Sequence, residues 1–322
     1  MTLTECTSLF AAEVGRQGID LTNLDIAIPR LAKTPGAAAA LAAAVSRLDS
    51  THRLGVGDAR DLHGVTDGSV HLVLTSPPYW TLKRYRPREG QLGHVADYEA
   101  FLGDLLRVWT ECLRVLAPGG RLIVVVGDVC LSRRRAGRHQ VIPLHAAIQE
   151  QGRRVGFDNL APVFWYKISN AQLEVKNGSR FLGKPYEPGA VIKHDVEYIL
   201  MLRKPGAYRS PAREQRLLSW LGEGDHREFF QQIWSLPGAS TRAHPAPFPL
   251  ELAQRLIRMF SFVGDTVLDP FAGTGTSNAA AAMWGRNSLG LDIEPAYVRL
   301  AESRLLHLQG DLLRQFSVEV VA

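Results

Sequence analysis

Residues Thr75-Ser76-Pro77-Pro78-Tyr79-Trp80 combine a hydroxyl, a rigid turn and two aromatic rings in six positions. Pro77 and Pro78 fix φ and donate no backbone N–H, so the carbonyls around them are left to accept hydrogen bonds. The exocyclic amino group of a nucleobase needs such acceptors. Ser76 Oγ and the Pro77 carbonyl offer two, and the Tyr79 ring offers a face for stacking. The plainer reading of the same residues is a proline turn that ends a strand. A second cluster lies far along the chain, in Asp269-Pro270-Phe271-Ala272-Gly273-Thr274-Gly275-Thr276. Gly273 and Gly275 let a backbone approach a ligand closely, and Asp269 puts a carboxylate at a strand end. Asp292 follows at roughly the 20-residue spacing by which α/β nucleotide sites hold ribose hydroxyls. Asp58 also ends an apolar run, where it reads equally as a ligand or as a helix N-cap.

The elements that must position these residues alternate in the manner of an α/β fold. Short β-prone runs at 53–58, 70–74, 121–128, 160–166, 196–202, near 266 and at 288–292 are bounded by Gly, Pro and Asp. Apolar residues recur at helical period from Tyr98 to Leu116, from about Ile142 to Gln151 and from Leu250 to Phe260, and a small-residue helix runs from Ser277 to Met283. Val196 to Leu202 ends in Arg203-Lys204-Pro205-Gly206 and reads as a hairpin strand. Residues 1–50 form a helical extension that either caps the sheet or meets a partner subunit. Residues 51–204 make one half of the main domain and residues 241–322 the other. Residues 205–240, polar and Arg-containing with Trp220, Phe229, Phe230 and Trp234, read as a small recognition element. Residues 168–192 read as a long loop of functional size.

The 322 residues carry a net charge of +5, unevenly spread. Residues 81–216 hold 23 of the 37 Lys and Arg but only 13 of the 32 Asp and Glu, so the middle of the chain is strongly basic. A polyanion-binding face produces such an asymmetry. Within it, Lys83, Arg84, Arg86 and Arg88 lie among Trp80 and Tyr85, a mixture suited to phosphate contact with stacking. Arg133, Arg134, Arg135 and Arg138 form a loop too charged to bury, either a solvated tip or one that faces a nucleic acid. The ordinary globular composition argues against disorder or a coiled coil. No run approaches the length of a membrane span, and the acidic N-terminal stretch is unlike a signal peptide. Cys6, Cys112 and Cys130 are scattered and suit neither a disulfide framework nor a metal site.

The order of the clusters is the reverse of an ordinary nucleotide-binding chain, with the glycine turn late and the Ser-Pro-Pro-Tyr strand early. In this the chain resembles the permuted, or β-group, DNA amino-methyltransferases. It shares their Ser-Pro-Pro-Tyr and Asp-Pro-Phe-x-Gly-x-Gly-Thr motifs, and also Gly57-Asp58, Gln91-Leu92-Gly93, Arg114 to Gly120, His244 to Pro249, and Tyr297 with Ala301 and Arg304-Leu305. The resemblance covers about residues 53–310. It implies a permuted Rossmann-like sheet, mostly parallel with one antiparallel hairpin strand, flanked by helices and carrying a DNA-recognition insertion. It further implies S-adenosylmethionine over Ala272, Gly273, Thr274, Gly275 and Thr276, beside Asp269, with Asp292 and its neighbour Ile293 at the ribose. Asp58 would meet the adenine amino group, and Phe271, Pro247 and Phe248 would line the pocket.

Ser76, Pro77, Pro78 and Tyr79 would then hold a base flipped out of double-stranded DNA. Trp80, Lys83, Arg84, Arg133, Arg134, Arg135, Lys176 and Arg180 would contact the nucleic acid. Ser before Pro-Pro-Tyr is the family's usual mark of cytosine N4 methylation, with adenine N6 as the alternative. Methylation of RNA or of a protein amide, and a DNA-binding homologue without activity, are the readings from other classes. A cytoplasmic, nucleoid-associated location, a homodimer and a companion restriction endonuclease belong to the same set of expectations.

Overall fold

The computed structural model describes residues 1–83, 85–167, 194–239, 247–312 and 316–321; at 135, 311, 312 and 321 only the backbone is described. Nine strands form one sheet among these residues. They are β1 (Thr51–Val56), β2 (Val70–Thr75), β3 (Leu116–Val126), β6 (Asp158–Tyr166), β7 (Val196–Arg203), β8 (Ile233–Ser235), β9 (Thr266–Asp269), β10 (Asn287–Asp292) and β11 (Ser317–Val321), in the order β11-β1-β10-β9-β2-β3-β7-β6-β8. All run parallel except β7, which is antiparallel to both of its neighbours. β4 (Val129–Leu131) and β5 (Gln140–Ile142) make a separate hairpin directly after β3.

Both faces of the central strands are covered, which is why they read as unbroken apolar runs rather than as alternating ones. Val73, Leu122, Val124 and Val126 face α4 (Tyr98–Val115) and α6 (Leu144–Val155), where Phe101, Leu105, Trp109 and Ile148 complete one core. Leu72, Leu74, Ile123 and Val125 face the other way, onto Leu252, Leu256 and Ile257 of α9 (Leu250–Phe260) and Ala280 and Ala281 of α10 (Thr276–Met283). The side chain of Asp97 accepts from Ala100 N at 2.7 Å and so starts α4. α11 (Pro295–Leu312) packs Val298, Ala301 and Leu305 against Leu54 and Ala282.

The first fifty residues form α1 (Leu3–Gly15), α2 (Leu24–Leu31) and α3 (Ala37–Val45). Their apolar faces share a core with Leu217, Leu218, Trp220 and Val263, at the sheet edge where the parallel strands begin. Part of the segment 205–240 is fastened at this same edge. Gly119 N donates to Lys204 O, Arg209 grips Asp265 just before β9, and Gln215 Nε2 donates to Val263 O. Residues 205–222, with the short α7 (Arg213–Leu217), are therefore fastened to the starting ends of the strands, across the sheet from the Ser76 turn. Only α8 (Glu223–Phe229) and β8 lead back toward the other edge, because β8 runs parallel to β6. Trp220, Phe229 and Trp234 are buried, so most of this segment's aromatic content builds core. Among the described residues no helix is long and apolar enough to cross a membrane.

Candidate active site

Five strands deliver chemistry to one sheet edge. β1, β2, β3, β9 and β10 end there and pass into Asp58, Ser76, Asp128, Pro270 and Ile293, while β7, running the opposite way, begins there with Val196 and Glu197. A cleft with an empty volume of about 490 Å³, its open mouth included, lies along this edge. Asp58, Ser76, Pro78, Phe271, Asp292 and Ile293 line it together, although 216 residues separate Ser76 from Asp292.

The two halves are held in register by buried polar bonds at the strand ends. Thr75 Oγ1 donates to Asp269 Oδ1 and Ser277 Oγ to Asp269 Oδ2, both at 2.7 Å, and Phe271 N donates to the same carboxylate at 3.1 Å. Burial pushes the Asp269 carboxyl up to about 6, against these three donors. Asp269 thus faces inward and ties loops together, and the cleft lining passes over it.

Asp292 lines the cleft and also braces it. Its Oδ2 accepts from Gly273 N and its Oδ1 from Glu294 N, both at 2.9 Å. Burial raises its carboxyl to about 6, with these N–H donors opposing. Gly273, Thr274, Gly275 and Thr276 form the turn behind the lining. Ala272 N donates to Leu291 O at 2.8 Å, and Arg304 Nη1 donates to Thr276 Oγ1 at 2.9 Å. Gly275 has φ +73°, and a Cβ there would stand 2.8 Å from the Cβ of Ala301, so any larger residue would push α11 off the turn.

On the opposite wall, Arg60 grips the Asp58 carboxylate through Nε and Nη2 and reaches Asp104 through Nη1. Burial works to raise the Asp58 carboxyl, but the Arg60 guanidinium and backbone N–H outweigh it and hold the group below the ordinary range. Gly90 crosses directly over this pair. With φ +78° and only 2.8 Å from its would-be Cβ to Ile293 Cδ1, it allows the 85–92 segment to close one side of the cleft with Tyr85, Gln91 and Leu92.

Beside Ser76, Tyr79 is buried to 5 % exposure. Its hydroxyl donates to Glu197 Oε2 at 3.1 Å and receives from Ser76 Oγ at 3.4 Å, and Glu197 is ion-paired with Lys167. Burial, then the Glu197 charge, push the Tyr79 phenol well above its usual value. The ring therefore lies beneath the turn in this conformation rather than open for stacking. Pro77 is buried beside it. Trp80 is also engaged: its Nε1 donates to Val95 O at 2.9 Å and its ring meets Tyr98 edge-on at 5.1 Å.

The remaining expected residues are dispersed. Phe248 sits in the core under α9, and Pro247 is half-buried next to it. Lys83 is half-buried on the segment that leads to Gly90. Arg133 and Arg134 are exposed on α5 (Arg133–Ala136), at the tip of the β4–β5 hairpin, and Arg135 follows them on the same short helix. Arg84, Lys176, Arg180 and His244 lie outside the described residues. Sequence reasoning missed Arg60, Gly90 and Glu197, and it read Tyr85 with the nucleic-acid contacts rather than with the cleft wall. The Gln91-Leu92-Gly93 and Tyr297 matches flagged the right segments, whereas nothing local marks Glu197, which reads as one residue of a strand.

With this geometry in view, comparison with known proteins places the chain among enzymes acting on DNA. The N6/N4 DNA methylase family model matches residues 70–303. The type II methyltransferase M.MjaI of Methanocaldococcus jannaschii is 34% identical over 305 residues, covering 85% of this chain and 97% of its own. M.MthZI of Methanothermobacter thermautotrophicus, also a type II methyltransferase, is 33% identical over 80% of this chain and 77% of its own. Among solved structures, TTHA0409 of Thermus thermophilus, assigned as a DNA modification methylase and complexed with S-adenosyl-L-methionine, superposes with a TM-score of 0.69 and 54% identity, over 84% of this chain and 98% of that one. The PvuII DNA methyltransferase, at 18% identity and a TM-score of 0.58 over 85% of this chain and 96% of its own, shares the fold.

Proposed function

The chain belongs to the DNA methylase family, and on that footing we propose that it transfers a methyl group from S-adenosylmethionine to the exocyclic N4 of a cytosine flipped out of duplex DNA. The cofactor is supported by the Thermus thermophilus relative crystallised with it. The donor set of the cleft fits it as well: two carboxylates, Asp58 and Asp292, face an apolar wall of Phe271 and Ile293. Carboxylates suit the amino group and hydroxyls of an adenosine, and the apolar wall suits its ring. The cofactor supplies an activated methyl on a sulfonium.

The observation that carries the reading is the meeting of Ser76 with Asp58 and Asp292 in one cleft. The amino nitrogen of a base is a weak nucleophile because its lone pair is delocalised into the ring. Ser76 Oγ and the Pro77 carbonyl, by accepting its two N–H bonds, would favour a pyramidal nitrogen and aim its lone pair. The preference for cytosine N4 rests on serine preceding Pro-Pro-Tyr. Adenine N6 is the alternative that the same hydroxyl can also serve.

Arg133 and Arg134 stand at the tip of the hairpin that follows β3, the strand paired with β2, and we assign them to the DNA backbone with Lys83. M.MjaI and M.MthZI are type II methyltransferases, so a companion endonuclease belongs to the proposal. The test is to incubate duplex DNA with methyl-labelled cofactor and digest it to nucleosides. Labelled N4-methyldeoxycytidine is expected; labelled N6-methyldeoxyadenosine as sole product overturns the base assignment, and label on RNA or protein alone overturns the DNA reading.

A further inference from the structure

Ser76 can accept a substrate N–H only if its own hydrogen points elsewhere. A hydroxyl carries one donor and two lone pairs, and it rotates to suit its neighbours. Three side chains behind the cleft fix that choice. Glu197 is only 15% exposed and is ion-paired with Lys167, whose ammonium also lies 4.4 Å above the Trp165 ring. A carboxylate in this pairing only accepts. The Tyr79 hydroxyl, 3.1 Å from Glu197 Oε2, therefore commits its hydrogen there, with the Val125 carbonyl as the longer partner at 3.5 Å. Tyr79 Oη is then left with lone pairs alone toward Ser76, and Ser76 Oγ donates to it at 3.4 Å.

We propose that Lys167, Glu197 and Tyr79 form a one-way hydrogen-bond chain that turns Ser76 into a pure acceptor facing the cleft. Glu197 and Lys167 act as positioning residues, and Tyr79 serves through its hydroxyl. The separation of 3.4 Å is long for an O–H···O bond, and catalytic hydrogen bonds are often long before substrate arrives. The fold makes the chain available because β7 runs against its neighbours. Its first residues reach the site edge, where Gly127 leaves room: a Cβ at Gly127 would stand 3.2 Å from Glu197 Cγ and 3.4 Å from Tyr79 Cε2.

This rests on the methyl-transfer reading, so wild-type turnover on DNA is measured first; its absence would overturn that reading and the chain's role with it. Given turnover, Tyr79→Phe and Glu197→Gln, both close to isosteric, are compared by steady-state kinetics, cofactor binding and thermal melting. Each is expected to lower kcat by about 10- to 100-fold, with cofactor Kd and DNA KM within about threefold. The double variant is expected to be no slower than the slower single, because both changes break one chain. Lys167→Met, on the surface side, is expected to show a smaller loss in the same direction. Tyr79→Phe with kcat within twofold of wild type, or losses that multiply in the double variant, would overturn the chain while leaving methyl transfer intact. A loss confined to melting temperature and KM would reassign these residues to structure and overturn it equally.

Discussion

The Thr75 hydroxyl donates to the Asp269 carboxylate at 2.7 Å across 194 positions of sequence, and both residues are buried. This bond joins the last residue of β2 to the last residue of β9 and sets the height at which the Ser76 turn and the glycine turn face each other. Strand pairing alone does so weakly, for β2 and β9 share only the Leu72–Val267 and Val73–Leu268 register. Thr75→Val keeps the shape and removes the donor. It is expected to cost about 1–3 kcal/mol of stability, the scale of leaving a buried acceptor short of a partner, read by denaturant unfolding, and to weaken cofactor binding.

Ser76→Ala is expected to lower turnover by roughly two or more orders of magnitude, on the scale of losing transition-state hydrogen bonds. Cofactor affinity, measured by calorimetry, should be little changed, since Ser76 is proposed to serve the base and not the cofactor. Equal loss of both would make the turn a scaffold.

Asp292, with its carboxyl raised to about 6, sets a pH dependence. Above that value the group is ionised and accepts hydroxyl hydrogens; below it a proton occupies one oxygen. Cofactor affinity is expected to fall about tenfold between pH 7 and pH 5, following the ionised fraction. The Asp292→Asn protein should bind weakly at both. Stability moves the other way. A carboxyl raised on folding binds its proton more tightly in the folded state, so the contribution of Asp269 and Asp292 is greatest below about pH 4 and is lost as pH rises to about 6. Melting curves of wild type and Asp269→Asn across that window would show the difference.

Gly90→Ala tests the wall over Asp58. The positive φ strains any side chain, and the added methyl would meet Ile293 Cδ1 at 2.8 Å and Arg60 Nη2 at 3.0 Å. A stability cost of about 1 kcal/mol is expected, with a severalfold rise in cofactor Kd as Arg60 is displaced from Asp58. Unchanged binding would detach this segment from the cofactor.

DNA affinity is expected to fall steeply with salt, and the Arg133→Ala and Arg134→Ala changes should each flatten the slope of log K against log salt by about one. A slope unaffected by either would move the DNA face away from the hairpin.

The sheet and its permuted order were legible because buried parallel strands leave continuous apolar runs, and because Asp58, Ser76, Asp269 and Asp292 each close one. Asp269 shows where legibility stops. Its position at a strand end announces a carboxylate, but whether that carboxylate turns outward to a ligand or inward to Thr75 and Ser277 depends on partners 194 and 8 residues away. Glu197 was invisible for the same reason, since it matters through Tyr79 and Lys167, 118 and 30 residues away, and Arg60 because its bond to Asp104 on α4 spans 44 residues. In segment 205–240 the pattern alone does not sort the aromatic residues, because aromatics among arginines look alike whether they meet a nucleic acid or, as Trp220 and Trp234 do, pack inside.

β11 lies parallel beside β1, Thr51 level with Ser317 and Gly55 with Val321. The sheet thus brings its earliest and latest strands into contact at one rim, so the path through it nearly closes on itself. Which motif the ribosome makes first is then a matter of where that loop is cut. The cleft would be built alike from either order of the two halves.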